Sequence, residues 1–387
     1  MNGYRLFPTK KPVRRSERGI TPAPTCSTAH RQNIAGGALD NHVIRQYANR
    51  KYVFQSLHPS ERTHSFFRGP GGCAKRGLGS FYVGILEKTV KKGEKFKGII
   101  PAVITPFKKN GSIDEKAFVK ELQRMIANNV HGLSVGGSTG EGAFLRNEEL
   151  ATLIGLAKCE AGELPVVAGV IRPATDIAVE TALAAAKAGA DALMITPPYY
   201  NVLVPDADGN FMFYETISKA ANLPIVIYNV VNQNEITTDQ FARLLKIKNV
   251  MGIKQSLQGV FGNYEMVQIN GKAGMIYCAA DIMTYTCFDF GCDGAISAVT
   301  SLAPGLCVDM WNHARAGESK KGLAIQNRLY PLLKTLLGPQ FPSKLKAALR
   351  ELGYDSGLCR NPLHDISESE RKLYKKMLDK TGRDWLR

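Results

Sequence analysis

Residues 224–256 read PIVIYNVVNQNEITTDQFARLLKIKNVMGIKQS, and this stretch holds one complete structural repeat. Two unbroken apolar runs, at residues 224–228 and 250–254, flank a helix-like segment at residues 238–245. Apolar runs without polar alternation are typical of strands that are buried on both faces, as in a parallel sheet. A strand, a helix and a second strand of this kind predict a βαβ unit.

The same alternation begins at residue 98 and continues to residue 302. Eight apolar runs are predicted as strands, at residues 98–105, 132–136, 165–170, 192–196, 224–228, 250–254, 275–279 and 294–298. The helical patterns between them lie at residues 115–128, 147–160, 175–188, 212–221 and 238–245. Eight such units favour an α/β fold of the (β/α)8 TIM barrel type over an open doubly wound sheet. The first strand also lacks the GxGxxG turn of dinucleotide-binding proteins.

Beyond the predicted barrel, residues 303–387 show helical patterns only, at residues 305–315, 320–337, 343–352 and 367–379. We expect these to form a C-terminal helical extension packed against the barrel. The domain organisation predicted for the chain is therefore a leader at residues 1–97, a catalytic barrel at residues 98–302 and the helical extension.

The net charge of +16 is concentrated in the leader. Residues 1–97 hold 19 Lys and Arg but 5 Asp and Glu, a net of +14, whereas residues 98–387 hold 31 and 29, a net of +2. The leader lacks sustained periodicity and is predicted to be a disordered basic segment. Three interpretations stay open: an organellar targeting segment, mitochondrial or plastid; upstream sequence without function; or a basic arm that touches nucleic acid or anionic membrane.

Composition excludes several classes of function. The eight cysteines form no CxxC pair, and the closest group, Cys278, Cys287 and Cys292, falls in segments predicted as core, so neither a disulfide framework nor a metal site is indicated. No apolar run approaches the ~20 residues of a membrane span. We expect a cytoplasmic protein, or an organellar one if the leader is a genuine targeting segment, with neither nucleic acid nor membrane as a partner.

Reactive side chains fall at the C-terminal ends of the predicted strands, where barrel enzymes place their chemistry. Lys254 ends the sixth strand, and because burying its charge is costly, the position favours the neutral amine that attacks a carbonyl to form a Schiff base. Tyr228 ends the fifth strand, Ser138 and Thr139 follow the second, and Asp281 follows the seventh. Taken singly, each has a plainer structural explanation, such as a core ring or a helix cap. Together, on the strand ends of one barrel, they favour a catalytic site.

Five motifs carry a resemblance to a known family. GGSTGE, TPPYYN, VIYNV, GIKQS and LCRNPL, beginning at residues 136, 196, 226, 252 and 358, resemble the dihydrodipicolinate synthase / N-acetylneuraminate lyase family, over residues 98–380. The resemblance implies a class I lyase that needs no metal or organic cofactor, in which Lys254 forms a Schiff base with pyruvate or another 2-oxo acid.

The same resemblance assigns roles to other residues. It implies that Tyr228 is the acid/base, that Ser138 relays protons to it, and that Thr139 holds the carboxylate of the 2-oxo acid with the backbone around Gly137. Tyr200 matches a tyrosine that family members donate across a subunit boundary into the neighbour's relay. A homo-oligomer follows, either a dimer or a homotetramer.

Three further residues are substrate-binding candidates: Gln233, Asp281 and Ser256. Gln233 stands where dihydrodipicolinate synthases carry an arginine that clamps the carboxylate of aspartate semialdehyde, and a neutral amide does not replace that charge. Asp281 is followed by Ile282 where the sialic acid lyases carry a glutamate, and Ala298 is not the usual serine.

The amides at residues 232–234 suit a neutral, hydroxylated substrate chain. We therefore predict reversible aldol cleavage of a 2-keto-3-deoxy sugar acid, or a similar compound, to pyruvate and an aldehyde. The alternatives are synthesis of 4-hydroxy-tetrahydrodipicolinate (dihydrodipicolinate) from pyruvate and aspartate semialdehyde, dehydration of a 2-oxo acid, and a barrel that binds a 2-oxo acid without turnover.

Overall fold

A computed structural model describes residues 93–386 of the chain. Eight parallel strands form one sheet in the order β1-β8-β7-β6-β5-β4-β3-β2. The strands are β1 (Gly98–Ile99), β2 (Leu133–Val135), β3 (Val166–Val170), β4 (Ala192–Ile195), β5 (Ile225–Asn229), β6 (Val250–Gln255), β7 (Met275–Cys278) and β8 (Gly294–Ala295). A parallel bridge between Ala102 and Ser134 joins the chain after β1 to β2, so the sheet closes on itself. The predicted TIM barrel with a helical C-terminal part is confirmed.

Thirteen α-helices accompany the strands in residues 93–386. Those within the barrel are α1 (Glu115–Ala127), α2 (Asn147–Ala161), α3 (Thr175–Lys187), α4 (Ala207–Ala221), α5 (Thr238–Leu244), α6 (Gly259–Asn270), α7 (Thr284–Asp289) and α8 (Val299–Leu302). Those that follow it are α9 (Pro304–Arg315), α10 (Ser319–Leu336), α11 (Phe341–Glu351), α12 (Glu368–Thr381) and α13 (Arg383–Leu386). No helix in this part of the chain is long and apolar enough to cross a membrane.

Two hydrophobic cores hold these layers together. The larger one lies between the strands and the helices and extends into the C-terminal helices. The smaller one fills the inside of the barrel and is made of inward side chains such as Ile100, Val167, Met194, Val226 and Ile296. This alternation of inward and outward side chains along each strand fixes which residues can face the barrel mouth.

The N-terminal end of the barrel is closed by residues just ahead of β1. Glu94–Phe96 form a 3-10 turn, and the Phe96 ring is fully buried in the inner core. The hydroxyl of Tyr277, on β7, donates a hydrogen bond of 2.9 Å to the Phe96 carbonyl oxygen. The barrel is therefore plugged at one end, and its open face is the other. Most of the leader, up to residue 92, lies outside the described residues.

Two elements differ from their predicted bounds by five residues or more. Helix α4 begins at Ala207 and not at residue 212, because the Asp206 side chain caps it by accepting a hydrogen bond of 2.8 Å from the Gly209 N–H. The first turn contains polar residues and a glycine, so hydrophobic periodicity does not indicate that it is helical. The regular part of β1 ends at Ile99, short of residue 105, and Pro101, which has no N–H to donate, lies just beyond it.

Candidate active site

The loop after β2 presents two hydroxyl groups and two free backbone donors to the barrel mouth. The Gly137 carbonyl oxygen accepts hydrogen bonds from the N–H groups of Gly140 and Gly142, both at 3.0 Å, which folds residues 137–142 into a tight turn. Within residues 93–386, no protein group accepts a hydrogen bond from the backbone N–H of Ser138 or Thr139. Two N–H groups beside two hydroxyls form a concavity suited to an anion such as a carboxylate.

This turn depends on a glycine. A Cβ atom at Gly142 would lie 1.7 Å from the carbonyl oxygen of Gly136, so no other residue fits there without moving the backbone. Gly136 itself has a φ of +74°, which glycine adopts without strain. The glycines of the GGSTGE motif and its neighbour thus set the position of Ser138 and Thr139.

Lys254, Tyr228 and Ser138 lie in contact at the barrel mouth. The Lys254 side chain is 4% exposed, and its Nζ lies 3.8 Å from the centroid of the Tyr228 ring. The Tyr228 hydroxyl donates a hydrogen bond of 3.1 Å to Ser138 Oγ. The amine thus lies against the face of the Tyr228 ring, and the phenol hydroxyl at the edge of that ring is hydrogen-bonded to the Ser138 alcohol. A phenol so close to the amine is suited to move a proton to or from a group bound to Lys254.

The strand register explains why these side chains meet. Tyr228 pairs with Lys254 across β5 and β6, and Lys254 pairs with Tyr277 across β6 and β7. On the other side, Ile195 of β4 pairs with Ile227, so the next residue, Thr196, continues the row beside Tyr228. Paired residues on parallel strands point to the same side of the sheet, and neighbouring strands are about 4.8 Å apart.

A cavity of about 300 Å³ opens at the Thr196 end of this row, and Tyr228 and Lys254 do not line it. Its wall is formed by residues from the ends of β2, β3, β4 and β5, namely Ser138, Ala143, Ile171, Thr196, Tyr199, Val230, Val231, Asn232 and Gln233. The wall carries hydroxyl and amide groups between apolar ones but no ionisable acid or basic side chain. Size and lining suit a small, polar organic substrate.

The predicted substrate-binding residues occupy different places. Gln233 lies in the cavity wall with Ser138, as expected for a group that contacts substrate. Ser256 lies two residues beyond Lys254, and its Oγ is buried without a hydrogen-bond partner in the described chain. Tyr200 is 64% exposed and is not part of the cavity wall, so it is not brought to the site of its own chain.

Asp281 and Asn234 are held by structural contacts. Asp281 Oδ1 accepts a hydrogen bond of 2.8 Å from the Val299 N–H at the start of α8. Burial raises the pKa of the Asp281 carboxyl, while this hydrogen bond and the charge of Lys254 act in the opposite direction. The expectation that the Asn234 amide faces the substrate is wrong: its Nδ2 donates to the Pro198 carbonyl oxygen at 3.0 Å and to Asn210 Oδ1 at 3.0 Å.

Three residues near the cavity were given no role from the sequence, although Tyr199 was noted as following the fourth strand. Thr196 follows β4 directly, is 1% exposed, and has no hydrogen-bond partner for its Oγ1. The Tyr199 hydroxyl donates to the Ile171 carbonyl oxygen at 3.3 Å. The Nη1 of Arg172, the second residue after β3, donates to the same oxygen at 3.0 Å. The signal that could have found all three is their place just after a strand that ends at the barrel mouth.

Arg172 brings positive charge close to the cavity wall. Its other hydrogen bonds go to neutral oxygens, the carbonyls of Gly142 and Leu145 and the hydroxyl of Thr181. None of the ion pairs formed between described residues includes it. Burial raises the pKa of the Tyr199 hydroxyl, and the charge of Arg172 opposes that rise, as expected for two groups that converge on Ile171.

A buried ion pair anchors residues 137–142, which we call the hydroxyl loop. Glu141, which ends the loop in a left-handed conformation with a φ of +56°, places Oε1 2.6 Å from the Nζ of Lys346 on α11. Lys346 is fully buried and also donates to the carbonyl oxygens of Thr105 and Leu358, at 2.6 and 2.7 Å. The second carboxylate oxygen accepts the backbone N–H of Arg360 at 2.8 Å. All polar atoms of this pair are thus satisfied, as a buried pair requires.

Comparison with known proteins gives a consistent result. A model of the dihydrodipicolinate synthetase family matches residues 95–381. The 4-hydroxy-tetrahydrodipicolinate synthase of Phenylobacterium zucineum is 36% identical over 280 residues, which cover 71% of this chain and 94% of that protein. The crystal structure of dihydrodipicolinate synthase from Aquifex aeolicus is 29% identical and superposes with a TM-score of 0.69, covering 74% of this chain and 98% of that one.

A second solved structure represents another branch. CdNal from Clostridium difficile, crystallised in complex with mannosamine, is 26% identical, with a TM-score of 0.68, and the match covers 74% of this chain and 99% of that one.

Proposed function

This chain belongs to the dihydrodipicolinate synthetase family, and on that premise we propose that it condenses pyruvate with aspartate semialdehyde, as a 4-hydroxy-tetrahydrodipicolinate synthase. Members of this family are class I lyases that act through a lysine Schiff base, and the chain is an enzyme of this class. The choice of product is supported by the relatives, since the curated proteins that are 31–36% identical carry this name. It replaces the sugar-acid cleavage that the sequence alone favoured.

The single observation that carries the proposed chemistry is the contact of Lys254 with Tyr228. In the proposed reaction, the Nζ of Lys254 attacks C2 of pyruvate, and water leaves as the imine forms. The imine nitrogen withdraws electrons, so a proton is lost from C3 and an enamine results. The enamine carbon attacks the aldehyde carbon, and the new alkoxide takes up a proton. The amino group of the semialdehyde then attacks C2 of the imine, so the ring closes as the C2–Nζ bond breaks and the amine of Lys254 is released. The Tyr228 ring centroid lies 3.8 Å from Nζ and its hydroxyl is hydrogen-bonded to Ser138, which supports Tyr228 as the residue that transfers these protons.

The hydroxyl loop would hold the carboxylate of pyruvate during these steps. The unoccupied N–H groups of Ser138 and Thr139 and their side-chain hydroxyls are neutral donors, which bind an anion without the desolvation of a counter-ion. Arg172 supports an acidic aldehyde as the second substrate. Because its charge lies behind Ile171 without a carboxylate partner among residues 93–386, it makes the cavity favourable for a second carboxylate although Gln233 is neutral.

A second candidate is reversible cleavage of a 2-keto-3-deoxy sugar acid. It is favoured by the cavity wall, in which Asn232 and Gln233 supply neutral amides suited to hydroxyl groups. Both candidates share the imine on Lys254 and differ in the aldehyde.

One experiment tests the chemistry and another the substrate. Borohydride reduction in the presence of pyruvate should add a mass to Lys254, and Lys254→Met should abolish the adduct; an unmodified Lys254 at saturating pyruvate would reject the Schiff-base mechanism. Pyruvate consumption is then measured with aspartate semialdehyde, and pyruvate release with 2-keto-3-deoxygluconate. Condensation with aspartate semialdehyde alone supports the proposal, whereas release from the sugar acid alone supports the second candidate.

A further inference from the structure

We propose that Thr196 is a catalytic residue whose hydroxyl donates a hydrogen bond to the aldehyde oxygen of the bound second substrate. This inference rests on the proposed aldol chemistry but not on which aldehyde is used. The starting observation is that Thr196 Oγ1 is buried and has no hydrogen-bond partner in the described part of the chain, although the residue is 1% exposed. A buried hydroxyl left without a partner is costly, so such an atom calls for a function or a ligand.

Its position identifies that ligand. Thr196 follows β4 at the barrel mouth and lies in the wall of the same cavity as Ser138 and Gln233. Met194, two residues earlier, belongs to the inner barrel core, and the period of two along a strand places Thr196 on the same inward side. The hydroxyl is therefore inside the cavity and not between the barrel and its helices.

The register places this hydroxyl next to the reacting atoms. Since Ile195 pairs with Ile227, Thr196 stands beside Tyr228, which in turn pairs with Lys254. The Tyr228 hydroxyl is hydrogen-bonded to Ser138 Oγ at 3.1 Å, and Ser138 lines the same cavity as Thr196. A substrate oxygen bound in this cavity near Ser138 is therefore placed between the Tyr228 and Thr196 hydroxyls. Lys254 fixes the pyruvate-derived half on one side of Tyr228, and Thr196 lies on the other side, where the aldehyde must enter.

The chemistry of the new bond explains what a hydroxyl does there. When the enamine carbon attacks the aldehyde carbon, the carbonyl π electrons move to the oxygen, which becomes an alkoxide until it is protonated. A preorganised donor aimed at that oxygen stabilises the charge as it develops. In the cleavage direction the same donor would orient the substrate hydroxyl as it gives up its proton.

The test uses Thr196→Val, which has nearly the same shape and lacks the hydroxyl. We expect kcat/KM for the aldehyde to fall about 10- to 100-fold, as for the loss of one hydrogen bond to a developing charge. Borohydride trapping of pyruvate on Lys254 should keep the same half-saturation, because the first half-reaction does not involve Thr196. The Tm should not fall, since an unpartnered buried hydroxyl is removed. Thr196→Ser should retain most of the activity.

Ser343→Ala is the matched control. Ser343 also has a buried Oγ, whose polar neighbour is the weakly hydrogen-bonding thiol of Cys359. It lies on α11 and not in the cavity wall, so its variant should turn over at the wild-type rate. A Thr196→Val enzyme with kcat/KM within threefold of wild type would overturn the proposal and indicate that a trapped water satisfies the hydroxyl.

Assays of the wild-type enzyme distinguish failure of the proposed function from failure of the role of Thr196. If wild-type enzyme acts on 2-keto-3-deoxygluconate and not on aspartate semialdehyde, the variant is compared on the sugar acid, which carries the same oxygen. If wild-type enzyme traps pyruvate but acts on neither compound, both the proposed function and the role of Thr196 are rejected.

Discussion

Lys254 shows at the scale of one residue how a strand position creates reactivity. Its neighbours along the inward face are small: Gly252 two residues before it and Ser256 two residues after it. The Tyr228 ring lies beside the lysine, with its centroid 3.8 Å from the Lys254 Nζ. The strand register therefore brings the amine next to the ring of the residue that is proposed to transfer protons.

Arg172 gives a prediction about the acidity of the second substrate. Arg172→Met should raise KM for aspartate semialdehyde about tenfold, the effect of losing about 1.4 kcal/mol, because a positive charge near the cavity is removed. KM for a neutral aldehyde should change far less. Steady-state kinetics with both aldehydes measures the difference, and Arg172→Lys should recover part of the loss.

Arg146→Met serves as the control for that variant. Arg146 precedes α2 and is exposed, so its removal takes away one charge near the same loop without affecting the cavity wall. Equal changes of KM for acidic and neutral aldehydes in Arg172→Met would mean that the arginine only holds the loop carbonyls of Gly142 and Leu145.

Asp281 gives a prediction about stability and pH. Burial raises the pKa of its carboxyl in the folded protein above that of the unfolded chain. The folded state then holds the proton more tightly, so this carboxyl contributes stability below its unfolded pKa of about 3.9 and loses that contribution as the pH rises through the folded pKa. An asparagine at this position cannot ionise, so in Asp281→Asn the free energy of unfolding does not lose this contribution as the pH rises.

We therefore expect Asp281→Asn to have a higher free energy of unfolding than the wild type at pH 8. The gain should shrink as the pH is lowered toward 4. Denaturant titrations at several pH values measure it. A difference that stays constant with pH would show that the ionisation of Asp281 is not linked to folding.

At the scale of elements, regular periodicity was the reliable guide. All eight strands lie where apolar runs predict them, because a strand covered on both faces needs an unbroken apolar segment. Helix α1 ends within one residue of its predicted end. Errors arose where a local contact outweighs periodicity, as at Asp206, whose cap adds a polar first turn to α4. Proline at residue 101 likewise accompanies the early end of the first strand.

The pair of Glu141 and Lys346 yields a prediction about how α11 supports the hydroxyl loop. Lys346→Met should lower the free energy of unfolding by about 3–5 kcal/mol, because it leaves the Glu141 carboxylate buried without its partner. The double variant Glu141→Gln, Lys346→Met should lose clearly less, since a neutral amide can still accept the N–H of Arg360.

Denaturant unfolding of the two single variants and the double variant measures this coupling. Additive losses would contradict it, because additivity is expected only for residues that do not interact. The same variants should shift the half-saturation for pyruvate trapping, as Glu141 directly follows the turn that carries Ser138 and Thr139.

The whole molecule allows a test of where the folded part begins. We propose that removal of residues 1–92 leaves turnover and Tm unchanged, whereas removal of residues 1–97 lowers the free energy of unfolding by about 3–5 kcal/mol. The reason is Phe96, which is fully buried at the closed end of the barrel and whose carbonyl accepts the hydroxyl of Tyr277. Thermal unfolding and turnover of both truncated proteins measure the difference.

The matched control is Phe96→Ala in the protein that lacks residues 1–92. It should reproduce most of the fall in the free energy of unfolding that removal of residues 1–97 causes. If removal of residues 1–92 alone impairs folding, the leader has a structural part that the charge pattern did not indicate.

For the site as a whole, the sequence located the residues that carry a recognisable motif. Lys254, Tyr228 and Ser138 were predicted from strand ends, and the structure brings them into contact. Thr196 and Arg172 were missed because a threonine or an arginine after a strand is common. Their significance appears only when the cavity and the absence of partners within residues 93–386 are known. The proposed second substrate differs from the sugar acid that the sequence favoured, because Gln233 was considered there without the charge of Arg172 near the cavity wall.

The link from Lys346 to the hydroxyl loop also bears on how such barrels can be recombined. A helix outside the barrel supplies the cation that holds the loop between β2 and α2. The barrel and the C-terminal helices therefore depend on each other and cannot be exchanged independently. A chimera that joins this barrel to the helices of a relative would keep its loop geometry only if glutamate and lysine were exchanged as a pair.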